Sequence, residues 1–489
     1  MPVLPVLLWT AESCLLGCPR PSAKAAATMT LDAVLARIDE TLPQALDRLM
    51  DLLRIPSIST DPAYKADCAR AADWLVADLT SLGFTARAAA TPGHPMVVAH
   101  SGGHAGTGLR HLLFYGHYDV QPVDPLDLWH RDPFDPVIED TPKGRVIRAR
   151  GSSDDKGQLM TFLEACRAWK AVHGTLPGKL TIFLEGEEES GSPSLIPFLH
   201  ENRLELTADL ALICDTGLYE DRVPAITTQL RGLAAADFTL HAASRDLHSG
   251  AYGGLARNPL HVMSRLLADL HDDEGRITIP GFYDDVDELS DTLRQQWQAL
   301  AFNHAAYLGD VGLSVPAGEV DRTPLEILWS RPTAEVNGLW GGYTGAGFKT
   351  VLPAEAHAKV SFRLVSRQDP EKVMVAFRAW AEARIPADCR ITWHDSEPGS
   401  PASVMQISDP AFESARAALA EEWGRPAVYV GEGGSIPIAG YFKTELGMDA
   451  MLVGFARDDD QVHSPNEKYD VESFHRGIRS WARILARIA

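Results

Sequence analysis

Histidines and carboxylates follow five apolar runs of this 489-residue chain, at points where buried strands would end. They are His117-Tyr118-Asp119, Asp154-Asp155, Glu187-Glu188-Glu189, Asp215 and the stretch from Asp458 to His463. Ligands of an open α/β sheet bind beyond the carboxyl ends of its strands. Crowded carboxylates repel one another in a low-dielectric cleft, and a bound cation neutralises them. Mixed imidazole and carboxylate ligands favour Zn²⁺, Mn²⁺ or Co²⁺ over Ca²⁺.

Each of these segments alone also has a structural interpretation. Asp154 and Asp155 could cap a helix and supply acid to its first turn. The Glu187–Glu189 run could be a solvated turn, and Asp458–Asp460 could be a charged loop. Five separate segments that all carry ligand types at strand ends are not expected by chance. The sequence therefore favours a metal-dependent function over five unrelated structural roles.

The elements that would position these residues are buried strands and helices. Near-continuous apolar runs predict strands at 111–116, 146–150, 180–184, 210–214 and 451–455. Helical periodicity predicts helices over 31–54, 66–82, 156–172 and 410–422. Apolar strands that alternate with helices indicate an α/β sheet buried on both faces.

The pattern changes near residue 226, which predicts a second domain. Alternating apolar and polar residues indicate half-exposed strands at 226–241 and 351–365, with a further strand at 390–393 and helices over 258–271 and 369–384. A segment of helical and loop character at 272–330 interrupts this set, and 398–403 is a predicted linker. We therefore expect a smaller α+β domain, residues 226–402, inserted into a first domain of residues 30–225 and 403–489.

Composition excludes several classes of protein. The chain has 45 Lys and Arg residues against 66 Asp and Glu residues, a formal net charge of −21, which disfavours nucleic-acid binding. No window approaches about 18 consecutive apolar residues, so a membrane span is not expected. Six cysteines without paired spacing beyond Cys14 and Cys18 do not form a disulfide framework. The predicted location is the cytoplasm.

Residues 1–29 are expected to be a disordered tail, or the product of a misassigned start with Met29 as the true first residue. The apolar stretch Val3–Trp9 is short and lacks a basic flank, which argues against a signal peptide. The segment Leu15–Cys18 is weakly similar to a lipoprotein cleavage site, and this is the less favoured interpretation.

The chain resembles the M20 family of metallopeptidases, in particular its carnosinase-like dipeptidase branch. The matching motifs occur in family order and are Gly116–Val120, Arg150–Gly157, Glu185–Ser192, Asp215, Asp246–Gly250, Gly431–Pro437 and His463–Glu467. The resemblance implies a catalytic domain built on a zinc-peptidase-like mixed sheet flanked by helices. It also implies that the inserted α+β domain is a lid through which the chain forms a homodimer.

The resemblance further implies two divalent metal ions, with zinc expected and manganese or cobalt as alternatives. Asp154 would bridge the two metals. His117 and Asp215 would complete one site, and Glu189 and His463 would complete the other. Asp119 would lie behind His117 and fix the orientation of its ring. Glu188 would be the general base that takes a proton from the attacking water.

Substrate contacts follow from the same resemblance. His248, from the lid of a partner subunit, would donate to the tetrahedral oxyanion. Arg363 would bind the free carboxylate of the substrate. Thr350 and the turn at Gly434 and Ser435 would line the substrate pocket.

The expected function is hydrolysis of dipeptides by a metal-dependent exopeptidase. The alternative is removal of an N-acyl or N-carbamoyl group from an amino acid on the same scaffold. A catalytically silent metal-binding protein is disfavoured, because a structural metal site has no use for an unligated base such as Glu188. The expected partners are a small peptide substrate and a second copy of the chain, with neither nucleic acid nor membrane.

Overall fold

The computed structural model describes residues 23–102, 109–220, 222–395, 399–434 and 436–489, and the side chains of these residues from 31 onward. The strands of these residues, in chain order, are β1 Thr85–Ala89, β2 Met96–His100, β3 His111–His117, β4 Val137–Thr141, β5 Gly144–Arg148, β6 Lys179–Glu185, β7 Leu210–Ile213, β8 Ala225–Leu230, β9 Gly232–His241, β10 Leu247–His248, β11 Thr333–Gly341, β12 Val351–Leu352, β13 Glu355–Leu364, β14 Arg390–Trp393, β15 Ser403–Val404, β16 Val428–Glu432, β17 Ala450–Leu452 and β18 Lys468–Asp470.

The α-helices, again in chain order, are α1 Ala23–Leu53, α2 Lys65–Ser81, α3 Lys156–His173, α4 Leu195–Glu201, α5 Arg203–Leu206, α6 Ser249–Tyr252, α7 Pro259–Ala268, α8 Asp291–Ala299, α9 His304–Gly309, α10 Pro324–Trp329, α11 Pro370–Glu382, α12 Pro410–Trp423, α13 Pro437–Leu446 and α14 Val471–Ile488. Helices α2, α3 and α12 begin and end within one residue of their predicted limits. Within the described part of the chain, no helix combines the length and the apolar character needed to cross a bilayer.

A nine-stranded mixed sheet has the order β1-β2-β6-β3-β7-β17-β8-β15, with β16 paired to β8. Strands β3, β6, β7 and β17 run parallel to one another. Their registers place His117 opposite Glu185 and Ile213 opposite Leu452. The carboxyl ends of these four strands therefore lie along one edge of the sheet.

Helices cover both faces of this large sheet. Phe114 of β3 stacks on Phe162 of α3 with ring centroids 3.9 Å apart, and it meets Trp481 of α14 edge-on. The next residue, Tyr115, meets Phe442 of α13 edge-on at 6.0 Å. Successive side chains of a strand point to opposite faces, so α3 and α14 lie on one face and α13 on the other. The predicted mixed α/β sheet flanked by helices is confirmed.

A four-stranded antiparallel sheet, in the order β11-β13-β9-β14, forms a second core with α7 and α11. Alternate residues of β13 are buried, and Phe362 packs its ring 5.1 Å from Phe377 of α11. The residues between them remain at least partly exposed. This sheet has the single solvated face that the alternating sequence predicts.

The predicted strand at 146–150 does not belong to the large sheet, so that part of the prediction is wrong. β5 instead pairs with β4 and β18 in a separate three-stranded antiparallel sheet. Val146 and Ile147 are buried, but Arg145 is exposed and Arg148 donates to Glu139 at 2.7 Å. A short run with two apolar residues is compatible both with a central strand of a large sheet and with a strand of a small sheet, so the sequence pattern does not distinguish them.

The single strand predicted over 226–241 is also wrong, because the chain changes sheets within it. β8 ends at Leu230 in the large sheet, and β9 begins at Gly232 in the small one. A Cβ atom at Gly232 would lie 2.4 Å from the carbonyl oxygen of Ser400, so glycine is required where the two crossing segments meet. The change of sheet therefore falls at residue 231, inside the segment predicted as one strand.

Part of the 272–330 segment packs against the large sheet. Trp297 of α8 donates its indole N–H to the carbonyl oxygen of Tyr429 at 3.2 Å, and its ring meets Trp329 of α10 at 5.0 Å. Both helices lie against β16. This part of the segment therefore packs with the core of the large sheet, to which Leu293 of α8 also belongs.

The predicted N-terminal tail lies mostly outside the described residues. Its last part, from Ala23, forms the first turns of α1, which therefore begins earlier than the predicted residue 31.

Candidate active site

Two groups of three side chains share Asp154 at the carboxyl edge of the parallel strands. His117 Nε2 lies 3.1 Å from Asp154 Oδ1 and 4.0 Å from Asp215 Oδ2. His463 Nε2 lies 3.0 Å from Asp154 Oδ2 and 3.3 Å from Glu189 Oε2. Within each group, one potential ligand atom per residue lies within 4.8 Å of the others. The structure thus brings together all five predicted metal ligands.

The electrostatics of these groups fit a divalent cation. Burial, followed by repulsion from Asp155, raises the pKa of Asp215 well above its ordinary value. Hydrogen bonds to Asp154 and then to Glu189 raise the pKa of His463 to about 10. Burial disfavours the protonated form of His117. Its carboxylate neighbours favour that form more strongly, so the pKa of His117 is raised well above the ordinary value. The surplus negative charge holds protons tightly here, and a metal ion would replace them.

Asp119 fixes the orientation of the His117 ring. His117 Nδ1 lies 3.2 Å from the carbonyl oxygen of Asp119 and 3.4 Å from its carboxylate. Because both oxygens are acceptors, Nδ1 carries the proton and Nε2 is the nitrogen available to a metal. The same carboxylate accepts from the backbone N–H groups of Glu188 and Glu189, at 3.3 and 3.0 Å. Asp119 therefore ties together two segments that supply site residues.

Glu188 lies beside these groups without belonging to either one. Glu188 is the first residue of the short helical turn that follows β6. Burial raises the pKa of Glu188 to about 7, partly opposed by His117 and reinforced by Glu189 and Asp119. A carboxylate whose pKa lies near neutrality can both accept and return a proton at physiological pH.

Glu467 has a role that the sequence analysis did not assign. This fully buried carboxylate accepts from Arg150 Nη1 at 2.8 Å and from the N–H of Gly151 at 2.9 Å. It also accepts from the N–H groups of Ser153 and Asp154, at 2.8 and 3.1 Å. Glu467 therefore holds the loop that carries the shared aspartate. Its only signal in the sequence is its place in the motif that begins with His463.

The predicted substrate residues lie elsewhere in the chain. His248 and Thr350 are exposed neighbours on the ribbon of β10 and β12, where the N–H of Ser249 donates to the carbonyl oxygen of Thr350 at 3.0 Å. Arg363 lies on the partly exposed face of β13, and Gly434 is exposed. Ser435 lies outside the described residues.

These predicted substrate residues do not line the cavity beside the candidate metal ligands. That cavity has a volume of about 260 Å³, and its described lining includes Asp154, Asp215, Glu432 and Asp458. Described lining residues include none of His248, Thr350, Arg363 and Gly434.

The interpretation of Asp155 as a helix cap is not supported by its contacts. Asp155 precedes α3, but its side chain does not cap the helix; it accepts from the N–H of His117 at 3.1 Å. The neighbouring Lys156 is fully buried and donates to the carbonyl oxygen of Ile55 at 2.7 Å. Lys156 thus ties the start of α3 to the end of α1.

A third acidic group, Asp459, Asp460 and Asp470, differs from the first two because a lysine occupies it. Lys468 Nζ donates to these three residues at 2.7, 2.7 and 2.8 Å. The ammonium group already supplies the positive charge that a metal would bring. This group is therefore an ion-pair network beside the His463 loop.

A mixed sheet whose strand ends gather two ligand groups around a shared aspartate, with a free glutamate beside them, defines a metal-dependent hydrolase. The chain matches the model of peptidase family M20/M25/M40 over residues 113–487 and belongs to this family. It is therefore a metallopeptidase, as the motifs predict.

Relatives cover nearly the whole chain. Cys-Gly metallodipeptidase DUG1 of Candida albicans is 30% identical over 92% of this chain and 96% of its own length. Beta-Ala-His dipeptidase of Homo sapiens is 27% identical over 81% of this chain and 78% of its own length. The structure of the M20 family metallo-carboxypeptidase Sso-CP2 from Sulfolobus solfataricus is 30% identical, covers 91% of this chain and 99% of its own, and superposes with a TM-score of 0.75. The dipeptidase relatives confirm the predicted branch of the family.

Proposed function

We propose that the protein hydrolyses dipeptides that have a free amino end and a free carboxyl end. The reaction would use two divalent ions, and zinc is the metal that we expect. The observation that carries this proposal is the sharing of Asp154 by two ligand groups, with Glu188 free beside them. The names of the relatives that cover most of the chain, which describe dipeptidases, support the choice of substrate. The larger core would carry the catalysis, and the smaller core, built on the sheet β11-β13-β9-β14, would serve as the lid.

The ligand roles in this proposal are divided between the two groups. His117 and Asp215 would hold one ion, Glu189 and His463 would hold the other, and Asp154 would be a ligand of both. When bound, the two ions would polarise the substrate carbonyl and lower the pKa of the attacking water. Glu188 accepts the proton from that water and later gives it to the leaving amine. Asp119 keeps the His117 ring in the tautomer that this arrangement requires.

The test of this proposal is an assay of the purified protein with added Zn²⁺ or Mn²⁺. The substrate panel contains dipeptides, N-acetylated amino acids, N-carbamoyl amino acids and longer peptides. It distinguishes dipeptidase activity from the alternative amidohydrolase activity and from carboxypeptidase activity. Release of free amino acids from dipeptides, abolished by a chelator, is the expected result. Turnover of only acylated or carbamoylated substrates would identify the alternative amidohydrolase, and turnover of only long peptides would identify a carboxypeptidase.

Arg363 is proposed to bind the substrate carboxylate, because its guanidinium lies on the partly exposed face of β13 and offers a fork of donors. We expect Arg363→Ala to weaken transition-state binding of dipeptides by roughly 2–5 kcal/mol. C-terminally amidated analogues should lose much less, since they carry no carboxylate.

Steady-state kcat/KM for matched acid and amide substrates measures this difference. Arg367→Ala is the control, because Arg367 is exposed and pairs with Asp287 at 2.9 Å. Equal losses for the acid and the amide in Arg363→Ala would contradict the assignment.

His248 is proposed to act in the site of a partner subunit. It is exposed on the β10–β12 ribbon and does not line the described cavity of its own chain. Leu255 and Phe348, on loops next to this ribbon, are 89% and 104% exposed, as expected for a surface that a second copy would cover.

A mixture of His248→Ala and Glu188→Gln chains tests this arrangement. Each variant alone should be inactive. A heterodimer should contain one working site, formed by Glu188 of one chain and His248 of the other. Activity should therefore return when the chains are mixed and heterodimers are verified by differential tagging. Absence of recovery in verified heterodimers would show that His248 does not act across subunits.

A further inference from the structure

Glu432 lies at the junction of two cavities. It ends β16, where its register partner in β8 is Leu230. It lines the cavity of about 260 Å³ that contains Asp154 and Asp215. It also lines an adjoining cavity of about 430 Å³ with Tyr307 and Trp329. Gly217 and the exposed Asp458 also line both cavities. A molecule that extends from the candidate metal ligands into the larger cavity would therefore lie against the carboxylate of Glu432.

The carboxylate of Glu432 is not neutralised by the described protein. Its Oε2 atom is screened from solvent and has no hydrogen-bond partner among the described residues. Burial alone raises its pKa to about 7, without an opposing contribution from a cation. Two other buried carboxylates have a basic partner, since Arg150 contacts Glu467 and Arg331 contacts Glu319, both at 2.8 Å. Glu185 and Asp155 lack one, but each accepts a hydrogen bond, from the hydroxyl of Tyr115 at 2.7 Å and from the N–H of His117 at 3.1 Å. Neither of these two is in contact with both cavities as Glu432 is.

A buried carboxylate without a donor is costly unless it receives one from a ligand. Glu432 belongs to neither group of candidate metal ligands. The missing donor is therefore expected to come from the substrate. The donor-rich part of a dipeptide is its α-ammonium group, which has three N–H donors and a pKa of about 7.7–8.0.

We propose that Glu432 binds the free α-ammonium group of the substrate and thereby selects peptides with an unmodified amino end. This inference rests on the proposed dipeptidase function and deepens it. An N-acylated substrate has no positive charge, so it would leave the Glu432 carboxylate buried and unpaired. Such a penalty rejects the wrong substrate more strongly than a difference in size does.

Glu432→Gln is the variant that tests this assignment, because it keeps the shape of the side chain and removes its charge. We expect kcat/KM for free dipeptides to fall at least about thirtyfold, the scale of losing one partner of a buried charge pair. The melting temperature should stay at or above that of the unmodified protein, since an unpartnered charge has been removed. Glu220→Gln is the matched control, because Glu220 is an exposed acid at the rim of the larger cavity.

Binding provides a readout that does not depend on turnover. A phosphinic isostere of a dipeptide, with a free amine or with an N-acetyl group, is titrated calorimetrically into the metal-loaded protein. Glu432→Gln should weaken the free-amine form at least about thirtyfold and leave the acetylated form unchanged or tighter. Equal weakening of both forms, or the same loss in Glu220→Gln, would overturn the assignment. Failure of the unmodified protein to hydrolyse any dipeptide would instead refute the proposed function, and the binding comparison would still decide the role of Glu432.

Discussion

Asp154→Asn is expected to remove both metal ions and nearly all activity. Asp154 is the single residue common to the two ligand groups, with one carboxylate oxygen 3.1 Å from His117 Nε2 and the other 3.0 Å from His463 Nε2. Asparagine keeps the shape but has neither the charge nor a second ligand oxygen. Loss of a bridging ligand should therefore disrupt both sites together, and we expect kcat to fall on the order of 10³-fold or more.

Metal content per chain, measured by inductively coupled plasma spectrometry after dialysis, tests this prediction directly. Asp459→Asn is the matched control, because its carboxylate belongs to the acidic group in which Lys468 supplies the positive charge. That variant should keep the metal content of the unmodified protein. Asp215→Asn should lose mainly one ion, since Asp215 belongs to one group only. An Asp154→Asn protein that retains both ions would show that Asp154 does not bridge them.

The sequence predicts the parts of the fold that local periodicity specifies. β3, β6 and β7 are mainly apolar runs of four to seven residues buried on both faces, and α3 shows a helical repeat. Sheet membership is a tertiary property, and there the sequence prediction fails. β5 resembles a central strand but belongs to a three-stranded sheet, and the chain changes sheets at Arg231 without a break in its alternating pattern.

The structure brings together the side chains that the sequence proposes as metal ligands. Position and residue type indicate the segments at strand ends that contain His117, Glu189 and Asp215, and the resemblance to the M20 family selects the individual residues. The supporting residues Glu467 and Glu432 could not be identified in this way, because their roles depend on burial and on partners distant in sequence. A lone glutamate near a glycine-rich turn gives no local sign that one of its carboxylate oxygens is screened from solvent. The sequence of one chain also cannot show where His248 acts, since its proposed role needs a second subunit.

Glu188→Gln is expected to separate metal binding from catalysis. Glu188 belongs to neither ligand group, so the variant should retain both ions. Glutamine cannot accept the proton from the attacking water, and loss of a positioned general base costs about 10²–10⁴-fold in rate. The fall should appear in kcat, with KM for dipeptides changed little, because the substrate is bound by other groups.

Glu189→Gln is the informative comparison, since the two glutamates are neighbours in one turn and differ in the proposed role. Glu189 lies 3.3 Å from His463 Nε2, so its replacement should lower metal content as well as activity. Glu188→Gln should lower activity alone, and its melting temperature should not fall, because burial already raises the pKa of Glu188 and disfavours its charged form. A Glu188→Gln protein that turns over within tenfold of the unmodified rate would show that another group accepts the proton. A loss of metal in that variant would instead place Glu188 among the ligands, and the free base would have to be sought elsewhere in the cavity.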